Sequence, residues 1–332
     1  MKKLNIGIMG CAAIARRSVI PAIQSLKDHF ALTAIASRTS GKAKEFAAEF
    51  GTKAVVGYDR LLEDPSIDVL YMPLPTGLHE EWLLRSLAAG KHVLVEKSLA
   101  IDHDSAGRMV DTARSKGMVL MEDFMFKYHG QHDYTWQLLR GERLGEIRLF
   151  RSQFGFPPLD KDNFRYDPVV GGGALLDAGA YTVKATQWFL GQGLDVLNSV
   201  LYVDPATGAD VLGNATLLSK KGIVAQLSFG FDNFYQCNYE FWGSKGRLLA
   251  ERAFTPKPTE QPAILFERQG EKEIHTAKPD NHFINILLEF HQAVMQKNNQ
   301  PWLDELLDQS RVLTEIKKRA TKIVYENGHI RR

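Results

Sequence analysis

Apolar and polar positions change rhythm once along this chain. Up to about residue 121, short apolar runs alternate with longer amphipathic stretches, the pattern of a parallel sheet with helices on its faces. The runs predict strands at 4–9, 31–37, 53–56, 68–72, 92–95 and 118–121, with helices near 13–27, 40–50, 77–90 and 104–116. Gly51, Gly90 and Gly117 fall just past three of these helices, where a left-handed cap is favoured, and Asp64-Pro65 and the Pro73/Pro75 pair punctuate loops. From about residue 122 longer extended stretches take over, at 146–155, 196–203, 211–219, 222–231, 235–242 and 246–251. Alternation such as Ile223, Ala225, Leu227 and Phe229 suits an antiparallel sheet with one covered face. Further helices are expected near 130–140, 173–190, 281–297 and 303–326, the last two amphipathic. The chain reads as α/β: a doubly wound parallel sheet over 1–121, then an α+β domain over 122–332 whose last helices are able to pack back on the first.

Composition narrows the function. The 332 residues, 44% apolar and 24% charged, suffice for two cores and exclude a disordered tail or a disulfide-stapled miniprotein. With 41 basic against 39 acidic side chains and no long run of like charge, nucleic acid is not an expected partner, and an anionic ligand must be met by local cations. Cys11 and Cys237 are far apart and in no metal-ligand spacing, which fits a reducing compartment. The opening MKKLNIGIMGC reads as a strand rather than a signal peptide, and no stretch approaches the roughly 18 apolar residues of a membrane span. A cytoplasmic protein with no membrane partner is expected.

The first strand runs into Gly10-Cys11-Ala12-Ala13-Ile14-Ala15 and then a helix. This is a dinucleotide-binding fingerprint in which Ala12 replaces the second glycine: Gly10 allows the sharp turn, and Ala15 the close approach of helix to strand. A small-residue turn of any α/β protein has the same letters. The end of the second strand bears on the choice of cofactor. Where an NAD site places Asp or Glu, this chain has Ser37-Arg38-Thr39, a guanidinium and two hydroxyls suited to a 2′-phosphate, so NADP(H) is expected. A solvated Arg38 at a strand end is the alternative.

Three further segments carry candidate chemistry. Thr76, Glu96 and Lys97 follow the carboxyl ends of strands, where ligands of open parallel sheets collect. Thr76 also suits a helix cap, and His79 the first turn of that helix. Lys97 beside Glu96 is placed to polarise a substrate carbonyl and supply a proton, against the alternative of a surface ion pair. Past the glycine run 171–173, Asp177 and Tyr181 are four apart and share a face if the segment is helical, with Lys184 a turn further on. Tyr181 is a proton donor or acceptor if a neighbouring cation lowers its pKa, and a structural tyrosine otherwise. The glycines either let backbone approach a ligand or form a flexible loop. His129 and His132 find no third ligand at metal spacing, and neither H-E-x-x-H nor G-x-S-x-G occurs, so metal and covalent hydrolysis are not expected.

Five separated segments, G-I-M-G-C-A-A-I-A, A-S-R-T, P-L-P-T-G-L-H, G-K-H-V-L-V-E-K and G-G-G-A-L-L-D-A-G-A-Y, stand in an order and spacing similar to the glucose–fructose oxidoreductase/inositol dehydrogenase (Gfo/Idh/MocA) family, through about residue 250. The resemblance implies a Rossmann domain and a second domain whose large open sheet makes homodimer or homotetramer contacts. It implies that Lys97 is the lysine of the E-K-P motif, with Ser98 in place of proline, and that Asp177 and Tyr181 are the D-x-x-x-H/Y pair. It also implies a cofactor site built from the fingerprint, Ser37 to Thr39, Tyr58, Leu74, Thr76, His79, Glu96 and Lys97. The segments Met121–Phe126, Gln131-His132, Phe156-Pro157-Pro158 and Phe164-Arg165-Tyr166 look most like nucleotide-sugar 3-ketoreductases, with dihydrodiol dehydrogenases sharing part of the pattern. A nucleotide-linked substrate needs cations for its diphosphate, and Arg16, Arg17 and Arg165 are candidates, each equally suited to a surface position. Asp177 and Tyr181 complete the substrate set.

The expected activity is reduction by NADPH of a keto group, at C3, of a nucleotide-linked deoxyhexose, with Lys97 and Tyr181 stabilising and protonating the oxygen. Oxidation of a small polyol or trans-dihydrodiol by NADP⁺ uses the same residues in reverse. A non-catalytic NADP-sensing regulator has no need of Lys97 and Tyr181.

Overall fold

The computed structural model describes residues 2–298, 300–326 and 329–331. Met1 and Arg332, the outer ends of the two expected domains, lie outside the described residues, as do Asn299, Asn327 and Gly328. The chain forms two compact units: one runs up to Asp123 and includes Phe283–Leu307, the other comprises Phe124–His282 and the chain from Asp308 onward. Residues 283–307 thus group with the first unit rather than with the remainder of 122–332. Apolar side chains explain this grouping, since Leu303 and Leu306 are buried in the first unit's core with Leu83, Leu87, Met109 and Val110.

In the first unit, strands β1 (Leu4–Met9), β2 (Phe30–Ser37), β3 (Lys53–Val56), β4 (Val69–Met72), β5 (His92–Val95) and β6 (Leu120–Glu122) form a parallel sheet in the order β3-β2-β1-β4-β5-β6. All four residues of β4 are buried, as a strand covered on both faces requires. Helices α1 (Ile20–Ser25), α2 (Ser40–Phe50), α3 (Tyr58–Leu62), α4 (His79–Ala88) and α5 (His103–Lys116) connect the strands. Gly51 and Gly117 cap α2 and α5 at φ 65° and 63°, in the left-handed region their sequence positions predict. The single helix expected over 13–27 is interrupted: Ala15–Val19 is a π turn, and α1 continues from it.

The second unit holds α6 (Gln131–Arg140), β7 (Ile147–Gly155), α7 (Ala180–Leu190), β8 (Asp195–Val203), β9 (Asp210–Leu218), β10 (Val224–Gly230), β11 (Gln236–Gly243), β12 (Gly246–Ala250), β13 (Ala263–Arg268) and β14 (Glu271–Thr276). Helix α8 (His282–Gln296) and helix α9 (Gln300–Arg319) follow, then β15 (Thr321–Glu326) and β16 (His329–Arg331). The ten strands make one sheet in the order β14-β13-β12-β11-β7-β10-β9-β8-β15-β16, antiparallel except where β7 meets β10 and β8 meets β15. Ala225, Leu227 and Phe229 point into the core from β10, while Gln226 is exposed. The hairpin β13–β14, turning at Gly270 with φ 76°, was not anticipated. The helix expected over 303–326 ends at Arg319; Thr321 to Val324, three of them β-branched, pair with β8 instead.

Candidate active site

In the first unit, Gly10 ends β1 at φ 123°, with its N–H donating to the Ala36 carbonyl at 3.0 Å. A Cβ there would lie 3.0 Å from Leu74 Cδ2, so the turn needs glycine both for its backbone and for the approach of the β4 loop. The chain enters a helix within three residues, and its first amides and dipole suit a phosphate. The end of β2 lies beside this turn: Cys11 Sγ contacts the Lys42 carbonyl at 3.6 Å, the Cys11 thiol is hydrogen-bonded to Ser37, and its neighbours in charge are Lys42, Arg16 and Glu45. Burial pushes the Cys11 thiol up against these cations, and burial likewise raises the Tyr58 phenol despite the nearby charge of Arg38. Arg38 and Thr39 are exposed, and Ser37 is buried with its hydroxyl accepting the Thr39 N–H at 3.3 Å. Lys42, in the first turn of α2, adds a second exposed cation that sequence reasoning did not single out; its position four residues past Arg38 was the available signal. Two hydroxyls and two solvent-facing cations, next to a turn that only glycine fills, fit an adenosine 2′-phosphate and pyrophosphate.

Arg16 and Arg17 border the same region, in an open cleft of about 450 Å³ shared with Cys11, Ala13 and Lys42. The Arg16 guanidinium is occupied by Glu45 at 2.5 Å and Glu49 at 2.8 Å and lies 4.2 Å from the Phe46 ring centre. Both carboxylates are exposed, so Arg16 is engaged here by pairs that solvent screens. Arg17 is exposed.

Lys97 follows β5 on a segment fastened from both sides. On the near side the Glu96 N–H donates to the Met72 carbonyl at 3.1 Å, and Tyr71 Oη donates to Glu96 Oε1 at 2.6 Å. On the far side the Leu99 N–H donates to Glu122 Oε1 at 2.7 Å, and Ser98, Leu99 and Ala100 are buried. The Lys97–Ser98 peptide is cis. His79 is fully buried with its ring nitrogens on the carbonyls of Leu74, Ser98 and Leu99, at 2.8 to 3.1 Å, so its expected role as a direct cofactor contact is corrected: its ring faces peptide groups. Leu74 and Thr76 are nearly buried, and no side chain caps α4, which removes the capping alternative for Thr76.

In the second unit the glycine run has a different purpose from either expectation. Gly172 and Gly173 donate to the carbonyls of Asp167 and Arg165 at 2.9 Å each, and a Cβ on Gly172 would lie 2.6 to 2.8 Å from three carbonyl oxygens. The close approach is of the chain to itself. It brings Arg165 onto Asp177, with Nε to Oδ2 at 2.5 Å, so two separately chosen candidates form one ion pair. Residues Leu175–Gly179 are a π turn that leads into α7, so Asp177 and Tyr181 do not follow the plain α-helical spacing assumed for them. Asp177 faces Arg165, whereas Tyr181 is buried among Phe124, Phe126, Phe154 and Phe254, with ring centres 5.0 to 5.9 Å away. Its hydroxyl lies 3.7 Å from Met125 Sδ, and the Lys184 ammonium lies over the Phe124 ring at 5.3 Å. Asp210, from the start of β9, accepts the Leu175 N–H at 2.7 Å and so anchors the N-terminal end of the Asp177 helix; nothing local in the sequence points to it.

The sheet order and the glycine turn after β1 are those of a dinucleotide-binding domain, and the lysine after β5 stands at the strand ends where ligands of such sheets bind. The family model described as an oxidoreductase family with an NAD-binding Rossmann fold matches residues 4–124, and that of the GFO/IDH/MocA C-terminal domain matches residues 133–249. The chain belongs to the Gfo/Idh/MocA oxidoreductase family. It is 41% identical over 323 residues, 97% of each chain, to a dTDP-3,4-didehydro-2,6-dideoxy-alpha-D-glucose 3-reductase of Actinomadura kijaniata. The enzyme of the same name from Saccharopolyspora spinosa is 44% identical over 269 residues, 81% of each chain. The crystal structure of a 3-ketoreductase from Actinomadura kijaniata in complex with NADP and TDP-benzene matches with a TM-score of 0.95 at 40% identity, over 98% of this chain and 100% of that one.

Proposed function

We propose that this protein reduces the C3 keto group of a dTDP-linked deoxyhexose with NADPH. The observation that carries this reading is identity of 41% across 97% of both chains with a reductase of that name. When bound, NADPH supplies the hydride that the keto carbon accepts. Ser37, Arg38, Thr39 and Lys42 hold the 2′-phosphate, and the Gly10 turn and the helix after it receive the pyrophosphate. Tyr58, Leu74, Thr76 and Glu96 shape the remainder of the cofactor site. The Lys97 ammonium polarises the keto oxygen and stabilises the negative charge that grows on it as the carbon is reduced. Tyr181 passes a proton to that oxygen, leaving a secondary alcohol. Asp177, oriented by Arg165, binds a sugar hydroxyl, and Arg16, Arg17 and Arg165 are the cations offered to the diphosphate.

The protein works as a homodimer or homotetramer in the cytoplasm. Exposed Leu197 and Trp242 on the ten-stranded sheet support self-association, and the unpaired Cys11 and Cys237 fit a reducing compartment. No described helix is long and apolar enough to cross a membrane. Light scattering reads the oligomer. A panel of dTDP-, UDP- and GDP-linked keto sugars, free polyols and dihydrodiols, followed at the nicotinamide absorbance, tests the substrate: the dTDP-linked 3-keto sugar should give the highest kcat/KM, and faster turnover of a polyol or dihydrodiol would contradict the reading.

A further inference from the structure

His79 is a buried histidine whose two ring nitrogens both face backbone carbonyls. Its Nδ1 lies 3.0 Å from the Ser98 oxygen and 3.1 Å from that of Leu99, while Nε2 lies 2.8 Å from that of Leu74. Carbonyl oxygens only accept, so the ring is the donor in each bond it makes. Burial pushes its pKa down, and the three carbonyls pull the other way without overcoming it. The neutral ring has one N–H, which serves either Leu74 or the Ser98–Leu99 pair.

The placement matters because of what lies next to it. Ser98 is the residue after Lys97, and Leu74 belongs to the loop after β4 that packs against the Gly10 turn. The Lys97 backbone is fixed on its near side by Glu96, through Met72 and Tyr71, and on its far side by Glu122 and His79. Glu122 accepts from the Leu99 N–H, and with its proton on Nδ1 His79 donates to the carbonyls on that side. Loss of the ring would leave the Ser98 and Leu99 oxygens buried without this donor and let the lysine's attachment point shift. Geometry is stringent for a group that acts on a reacting oxygen: a displacement of about 1 Å costs on the order of 10²-fold in rate.

We infer that His79 is a positioning residue for Lys97, acting through the peptide groups of Ser98 and Leu99. This inference rests on the role proposed above for Lys97. The short amide of His79→Asn puts its nitrogen near the place of Nδ1, whereas the longer amide of His79→Gln puts it near that of Nε2. His79→Leu removes both donors.

The test measures single-turnover reduction, NADPH affinity by fluorescence and thermal stability, for His79→Leu, His79→Asn and His79→Gln, each made alone and with Lys97→Met. His79→Leu should slow the chemical step by about 10²-fold with NADPH affinity unchanged. His79→Asn should recover most of that rate and His79→Gln much less, whatever their relative stabilities. In the Lys97→Met background the histidine substitutions should cause no further loss, because the residue they position is gone. The inference is overturned if the losses multiply in the double variants, or if His79→Asn and His79→Gln turn over equally. Should His79→Leu fail to fold, the Asn and Gln pair and their Lys97→Met doubles still decide. A Lys97→Met enzyme with an unchanged chemical step removes the underlying reading of Lys97, whereas a slowed one with multiplicative histidine effects removes this inference alone.

Discussion

The two groups proposed to act on the keto oxygen are held in place by opposite means. Lys97 is a flexible side chain on a loop, and the structure fixes its backbone through directional bonds from Met72, Tyr71, Glu122 and His79. Tyr181 is a rigid ring on a helix, and four phenylalanine rings place it by packing. A long cation has too many rotamers to be located by contact alone, so its attachment point must be secured; an aromatic ring has two torsions and is located by shape. In both units a π turn interrupts the helix that bears the site residues, at Ala15–Val19 in the first and Leu175–Gly179 in the second. Such turns are frequent at functional sites because they re-aim side chains at the cost of regular hydrogen bonding.

The sharpest way to separate the two groups is to remove each. Lys97→Met keeps most of the length and deletes the charge, and kcat should fall by roughly 10²–10⁴-fold with NADPH affinity retained. Tyr181→Phe should lose less, because a lysine or a neighbouring substrate hydroxyl can relay the proton, and the two losses should not add if they serve one transfer. Stopped-flow rates on both singles and the double check this. Breaking the packing instead of the chemistry comes next. Phe254 is fully buried against Tyr181, and Phe254→Ala should cost about 3–5 kcal/mol of stability, read by urea unfolding. A loss well under that range would show that the nest is not a packed core.

At the cofactor end, Arg38→Asp replaces a phosphate partner with a repelling charge. NADPH binding should weaken by on the order of 1.5–3 kcal/mol while NADH binding changes little, by titration of nicotinamide fluorescence. Equal affinities for the two cofactors in the unmodified protein would contradict the assignment of the β2 end. A further effect, on stability and not on binding, is set by protons. Burial holds His132 and His282 down to about 3 from an ordinary value of 6.5, so between those limits the unfolded chain binds more protons than the folded one. The histidines' contribution to stability is full well above pH 6.5 and is lost as pH drops toward 3, with a slope of up to about 1.4 kcal/mol per pH unit for each. Unfolding curves from pH 7 to pH 5 should show this slope, and His132→Gln with His282→Gln should flatten it; an equal slope in the variant would show that other groups set it.

What the sequence disclosed follows the range of the forces involved. The first unit's strands were legible because each is a short apolar run between amphipathic stretches, and β1, β3 and β4 are closed by Gly10, Gly57 and Pro73, a signal contained within a few residues. The end of α9 was not, because Lys317-Lys318-Arg319 continues a helical pattern and only pairing with β8 makes a strand of Thr321–Glu326. At the site, Gly10, Arg38 and Lys97 stood out since their positions relative to strand ends carry the meaning. His79 and the glycine run stood out by their place in the sequence, but their partners are backbone carbonyls, which no side-chain pattern announces. Asp210 and Glu122 act across distances that no spacing rule reaches, 35 and 23 residues from the amides they accept.

The central claim is hydride transfer to one carbon of a nucleotide-linked sugar, and isotope transfer tests it directly. NADPH deuterated at both C4 positions is incubated with the dTDP-linked 2,6-dideoxy-3,4-diketohexose, and the product is examined by NMR and mass spectrometry. One deuterium bound at C3, with loss of one equivalent of NADPH, is the predicted result. Deuterium at another carbon, or no transfer by a folded protein that binds NADPH, would contradict the account.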